Sequence, residues 1–145
     1  MLNYDADLEL FRDTFRRFMN EHIAPHYEQW EREGLMPRSV WNALGENGFL
    51  CVDVPEEYGG YGVPTHYSLM LVEESARAGF SALSTGISCH SEIAAPYILH
   101  IGTEAQKQYW LPKMVSGEVV GAIGMTEPGA GSDLQAMRSN AILQG

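Results

Sequence analysis

Basic residues are scarce in this chain of 145 residues: nine Lys and Arg stand against nineteen Asp and Glu, a formal net charge of -10. A grip on a phosphate backbone needs clustered Lys and Arg, so this balance argues against a nucleic-acid partner. It argues equally against an anionic membrane surface. Cysteine is scarce too. Cys51 and Cys89 are the only two, and two lone, distant thiols read as small buried hydrophobes of a reducing compartment rather than as a disulfide framework. Long apolar runs are missing: the longest, residues 119–125, falls far short of the ~20 residues of a membrane span. The first twenty residues hold Asp5, Asp7, Glu9 and Asp13 and no apolar core, which is unlike a signal peptide. The expectation is a cytoplasmic protein, with no membrane span, no repeat and no low-complexity tract.

An ordinary apolar fraction of 45% is present, and up to about residue 116 it is arranged at helical spacing. Leu8, Phe11, Phe15, Phe18 and His22 make one stripe. Asp5 is the expected N-cap, with Asp7 and Glu9 in the first turn and Arg12, Arg16 and Arg17 further on, which suits the helix dipole. The stripe resumes after Pro25 with Tyr27 and Trp30, predicting a kink at Pro25 and an end near Gly34. A second helix opens at Pro37 and Ser39, carries Val40, Trp41 and Leu44, and closes at Gly48. Gly59, Gly60 and Gly62 mark a loop of unusual backbone angles. A third helix follows Thr65, with Leu69, Val72 and Ala76 expected on one face. Residues 81–101 read as a small-residue helical stretch broken near Pro96. Thr103 and Gln106 form a capping-box pattern for a last helix that carries Tyr109 and Trp110 and bends at Pro112.

After Gly117 the texture changes. Val119, Val120, Ala122, Ile123 and Met125 form a compact apolar run, read as a buried strand. A loop follows over 127–133, and Ala141, Ile142 and Leu143 start a second strand. Helices ending in one and a half strands read as a truncated second domain, since even a complete hairpin is marginal alone. Within this tail, residues 121–134 form a strand that delivers the Thr126 hydroxyl and a glycine-punctuated loop. Such a loop brings backbone N–H groups and the Ser132 hydroxyl close to an anion. It lacks the spacing of a dinucleotide fingerprint or a P-loop, and a plain strand-to-turn connection fits the composition as well.

Met125-Thr126-Glu127-Pro128-Gly129-Ala130-Gly131-Ser132-Asp133 resembles the flavin-binding signature of the acyl-CoA dehydrogenases. Residues 55–62 resemble the family's glycine-rich connection between early helices. Glu73-Glu74, residues 102–112 and Ser116-Gly117-Glu118 are similar to further family marks, in the family's order, so the resemblance covers nearly the whole chain. It implies a mainly α fold: an N-terminal helical domain over residues 1–117, then the first strands of a truncated middle β domain over 118–145. FAD is the implied cofactor. Its ring is expected against Ile123, Met125 and Thr126, with the Thr126 hydroxyl at the N5 and carbonyl region. Gly131 and Ser132 are expected at the cofactor, and Ser132 also at phosphate-bearing groups or the substrate thioester. Many members carry an aromatic residue where Ile123 stands.

The resemblance further implies α,β-dehydrogenation of a medium- to long-chain acyl-CoA in fatty-acid β-oxidation, with electrons passed to an electron-transferring flavoprotein, and a homotetramer at full length. The family's base is a glutamate of a C-terminal domain outside these residues, so no catalytic residue is assigned here and residues 1–145 alone are expected to be inactive. Ser84 and Ser88 lie in the region where members house the acyl tail. The small side chains there serve equally well for close helix packing, and both readings stay open. Glu56-Glu57 and Glu73-Glu74 read as solvated faces or caps. His22 and His26 have metal-pair spacing, but Pro25 interrupts them and no third ligand is evident, so no metal is assigned. His90 reads as a satisfied core histidine. The alternatives are a non-catalytic helical module binding a lipid or a partner, and an acyl-CoA oxidase or flavin monooxygenase of the same superfamily.

Overall fold

The computed structural model describes residues 6–144; the Asp5 cap lies outside them. Seven α-helices form the body of the described chain: α1 (Ala6–Phe18), α2 (Tyr27–Glu33), α3 (Arg38–Glu46), α4 (His66–Arg77), α5 (Ser81–Ile87), α6 (Ala95–Ile101) and α7 (Glu104–Val115). Two π-helical segments, Met19–Ile23 and Ser88–Ala94, join α1 to the Pro25 turn and α5 to α6. Each lies in the turn before a proline. Proline lacks an N–H and crowds the carbonyl four residues back, and widening the preceding turn accommodates both defects. The expected kink at Pro25 is this widening followed by a turn. The expected break near Pro96 is a widening without interruption. Gly34 ends α2 in the left-handed region at φ 70°, where glycine carries no Cβ penalty. The Thr103 box at the start of α7 is complete in both directions.

The larger core gathers Leu8, Phe15, Phe18, Val40, Leu44, Phe49, Met70, Leu71, Leu83 and Ile87. Phe49 meets Phe15 and Phe18 edge-on, with centroids at 4.9 and 5.2 Å. A smaller core of Val54, Tyr58, Ala95, Leu111 and Met114 lies under α6 and α7. Each fully buried side chain of this size contributes roughly 1.5–3 kcal/mol.

The buried face of α4 differs from expectation. Leu69 and Ala76 are exposed and Val72 is half-buried, whereas Ser68, Met70, Leu71, Glu74 and Ser75 are buried. The serines tolerate burial because their hydroxyls are satisfied: Ser75 donates to the Leu71 carbonyl and Ser68 to the Glu92 carboxylate. Glu74 accepts two bonds from the Arg16 guanidinium at 2.6 and 2.9 Å, and Glu73 pairs with Arg77 on the surface. Glu74 therefore ties α4 to α1, while Glu73 pairs within α4.

The run 119–125 is extended but pairs with no strand among the described residues, and residues 141–144 are exposed and irregular. A strand is stabilised by neighbours that complete its ladder, and the one bridge here is local, Glu127 with Ala130. The run is thus mostly exposed, where a buried strand was expected. No helix among the described residues is long and apolar enough to cross a membrane.

Candidate functional site

The extended run leaves the helical body along a short series of ties. Arg38 of α3 donates to the carbonyls of Gly117 (2.7 Å) and Glu118. The Val119 N–H reaches the Lys113 carbonyl at 3.0 Å. The Gly121 N–H reaches His90 Nδ1 at 2.9 Å. Beyond Gly121 the run departs from the helices and forms one side of a groove of about 460 Å³. Ile123 and Met125 of the run face Ile98, Tyr97 and Trp110 of α6 and α7 across it. Thr126 is exposed and does not line the groove.

The loop after Thr126 is held by its own polar groups. Glu127 and Ala130 exchange two backbone hydrogen bonds at 2.9 and 3.1 Å across Pro128 and Gly129. The Glu127 carboxylate accepts from the Arg138 and Ser139 N–H groups at 2.9 and 3.0 Å. Those donors hold it below the usual carboxylate range. Asp133 Oδ1 accepts from the Gln135 N–H at 3.2 Å, capping the short turn at Leu134–Ala136. Gly131 and Ser132 lie exposed between these anchors. A Cβ built at Gly124, Gly129 or Gly131 would meet no described atom within 4 Å. An apolar wall, a hydroxyl at its end and an open glycine loop with a second hydroxyl are the surroundings that suit a flat heteroaromatic ring with a polar edge and an anionic tail. The residues therefore fit a flavin nucleotide.

Ser84 and Ser88 are not brought to this groove. Ser84 is buried and donates to the Val72 carbonyl at 3.0 Å. Two residues on, a Cβ at Gly86 would lie 3.1 Å from the Trp41 ring. Small side chains at 84 and 86 thus let α5 approach its neighbours closely. Ser88 is half-buried at the start of the second π-segment. His22 and His26 rest on aromatic rings, Phe18 at 5.0 Å and Trp30 at 5.6 Å.

His90 is fully buried and every polar position on its ring is used. Nδ1 accepts from Gly121, so the proton sits on Nε2, which donates to the Met114 carbonyl at 3.0 Å. Burial lowers its pKa, and the positive charge of Arg38 adds to the shift against the bond to Met114. The Cys51 thiol is 3.5 Å from Nε2, but burial pushes its pKa up to about 12. The pair therefore lacks the thiolate that nucleophilic chemistry requires. The link from His90 to Gly121 had no signal in the sequence, since 31 residues separate the two.

A family model for the acyl-CoA dehydrogenase N-terminal domain matches residues 5–118. The long-chain specific acyl-CoA dehydrogenase of Sus scrofa mitochondria is 38% identical over 142 residues, covering 98% of this chain and 33% of that protein. The chain thus spans about a third of the length of this curated relative. The crystal structure of an acyl-CoA dehydrogenase from Geobacillus kaustophilus superposes with a TM-score of 0.84 at 48% identity, over 91% of this chain and 34% of that one. A glutaryl-CoA dehydrogenase from Mycobacterium smegmatis, solved in complex with FADH2, superposes with a TM-score of 0.85 at 28% identity, over 93% and 34%. The family model and these relatives together show that the chain belongs to the acyl-CoA dehydrogenase family, of which it carries the N-terminal helical domain.

Proposed function

We propose that this chain forms the helical wall and the first flavin-facing segment of an FAD-dependent acyl-CoA dehydrogenase acting on medium- to long-chain substrates in fatty-acid β-oxidation. The observation that carries the reading is the apolar groove lined by Ile123 and Met125, followed along the chain by the open loop at Gly131 and Ser132. When bound, the flavin supplies the acceptor for the hydride leaving the substrate's β carbon. The chain's own residues bind and orient. Ile123 and Met125 give the ring an apolar, water-poor bed. The Thr126 hydroxyl donates to the polar edge of the ring, where negative charge grows during reduction. Ser132 and the N–H groups around Gly131 hold phosphate-bearing groups. The base that removes the α proton comes from the part of the protein outside these residues, so residues 1–145 do not catalyse by themselves. Electrons leave to an electron-transferring flavoprotein, and the full-length protein is a homotetramer.

Ser88 is the residue proposed at the floor of the acyl-tail pocket. Mixing the full-length protein anaerobically with straight-chain acyl-CoA substrates of graded length tests the reading. The flavin absorbance should bleach, and fastest with the longer chains. In Ser88→Leu the efficiency should fall for long chains and hold for short ones. Each methylene kept out of the pocket forfeits about 0.8 kcal/mol, so two or three are worth roughly tenfold or more. No bleaching with any acyl-CoA contradicts the dehydrogenase reading, and an equal fall at all lengths removes Ser88 from the pocket.

A further inference from the structure

The second π-segment turns two side chains toward backbone N–H groups of distant loops. Ser91 Oγ accepts from the Cys51 N–H at 3.0 Å, and His90 Nδ1 accepts from the Gly121 N–H at 2.9 Å. Cys51 is the only non-glycine residue with positive φ among the described residues, at 50°, so the chain packed against His90 and Ser91 is itself tightly constrained. Gly121 is pinned from the other side as well: a Cβ there would lie 2.6 Å from Ala94 Cβ and 2.8 Å from Met114 Cε. Among the described residues the Gly121 bond is the last hydrogen bond between the helical body and the extended run before Thr126.

We propose that His90 is a positioning residue for the flavin. By accepting from Gly121 and donating to Met114, it fixes the register in which residues 122–126 leave the helices, and so sets where Ile123, Met125 and Thr126 meet the ring. Five residues of extended chain reach about 16 Å, so a small change at the anchor moves Thr126 by more than the ~0.5 Å that a preorganised site tolerates. His90 and Ser91, neighbours on the widened segment before Pro96, are both buried.

This proposal rests on the flavin reading above, and two substitutions separate it from a purely structural role. Asn at 90 keeps an acceptor where Nδ1 stands and loses the donor to Met114. Gln keeps a group where Nε2 stands and loses the acceptor for Gly121. Both should lower the melting temperature of the full-length holoprotein. Only His90→Gln should speed hydrogen exchange at Gly121, and only it should weaken FAD binding, by about tenfold for one lost hydrogen bond at a preorganised site. His90→Asn should stay within about threefold of the native affinity. FAD affinity that tracks the melting temperature equally in both variants overturns the proposal. So does a Gln variant with lost Gly121 protection and native FAD affinity, which leaves the family reading untouched. If the Gln variant does not fold, the Asn variant decides: protected Gly121 together with a tenfold weaker flavin overturns the claim. Native full-length protein that binds no flavin overturns this proposal and the flavin reading together.

Discussion

A buried imidazole that accepts from one backbone group and donates to another has to stay neutral, because a second proton would turn the acceptor into a donor facing the Gly121 N–H. Burial and Arg38 lower the His90 pKa from 6.5. Between the folded value and 6.5 the unfolded chain takes a proton that the folded chain refuses, so stability falls as the pH drops below about 6.5, until the folded site is protonated too. Asp53 and Glu92 run the other way. Burial raises both, from 3.8 and 4.5, so their contributions decline as the pH rises through the windows above those values. His90→Asn should therefore flatten the loss of melting temperature between pH 6.5 and lower pH while leaving the carboxylate part in place. A slope unchanged from the native protein would contradict a neutral, buried His90.

The turns between elements rest on glycines that do different work. Gly34 has positive φ and open space around it, whereas a Cβ at Gly60 would fall 1.9 Å from the Val54 carbonyl oxygen. Gly34→Ala should thus cost about 1 kcal/mol, from backbone conformation alone. Gly60→Ala should cost about 2–3 kcal/mol, because the Val54 backbone must move. Urea unfolding of both variants checks the order, and equal losses would contradict the close approach. Helices were the legible part of this chain because their signals are local: the stripe of α1, the Thr103 box, the glycine at 34. The face of α4 was misread because apolar residues were counted as buried, while Ser68 and Ser75 gain burial through partners that spacing does not reveal. The π-turns before Pro25 and Pro96 give no periodicity of their own. The run 119–125 looked like a buried strand because apolar content does not show whether a neighbouring strand is present. The motif loop over 125–133 was legible as a resemblance, while its anchor at His90 depends on a contact across the fold.

For the molecule as a whole, the helices form the body and hand on a short segment, 119–126, that is proposed to meet the flavin. Among the described residues the Glu74 carboxylate is taken up by Arg16 and that of Glu92 by Ser68. The central claim is that the end of this segment, at Thr126, faces the flavin where charge develops. Anaerobic stopped-flow reduction of the full-length protein by acyl-CoA, native against Thr126→Ala, tests it most directly. A hydrogen bond to a charged group is worth about 1.5–3 kcal/mol, so the variant should fold, retain its flavin and be reduced roughly tenfold to a hundredfold more slowly. An unchanged reduction rate with the flavin fully bound would contradict the account.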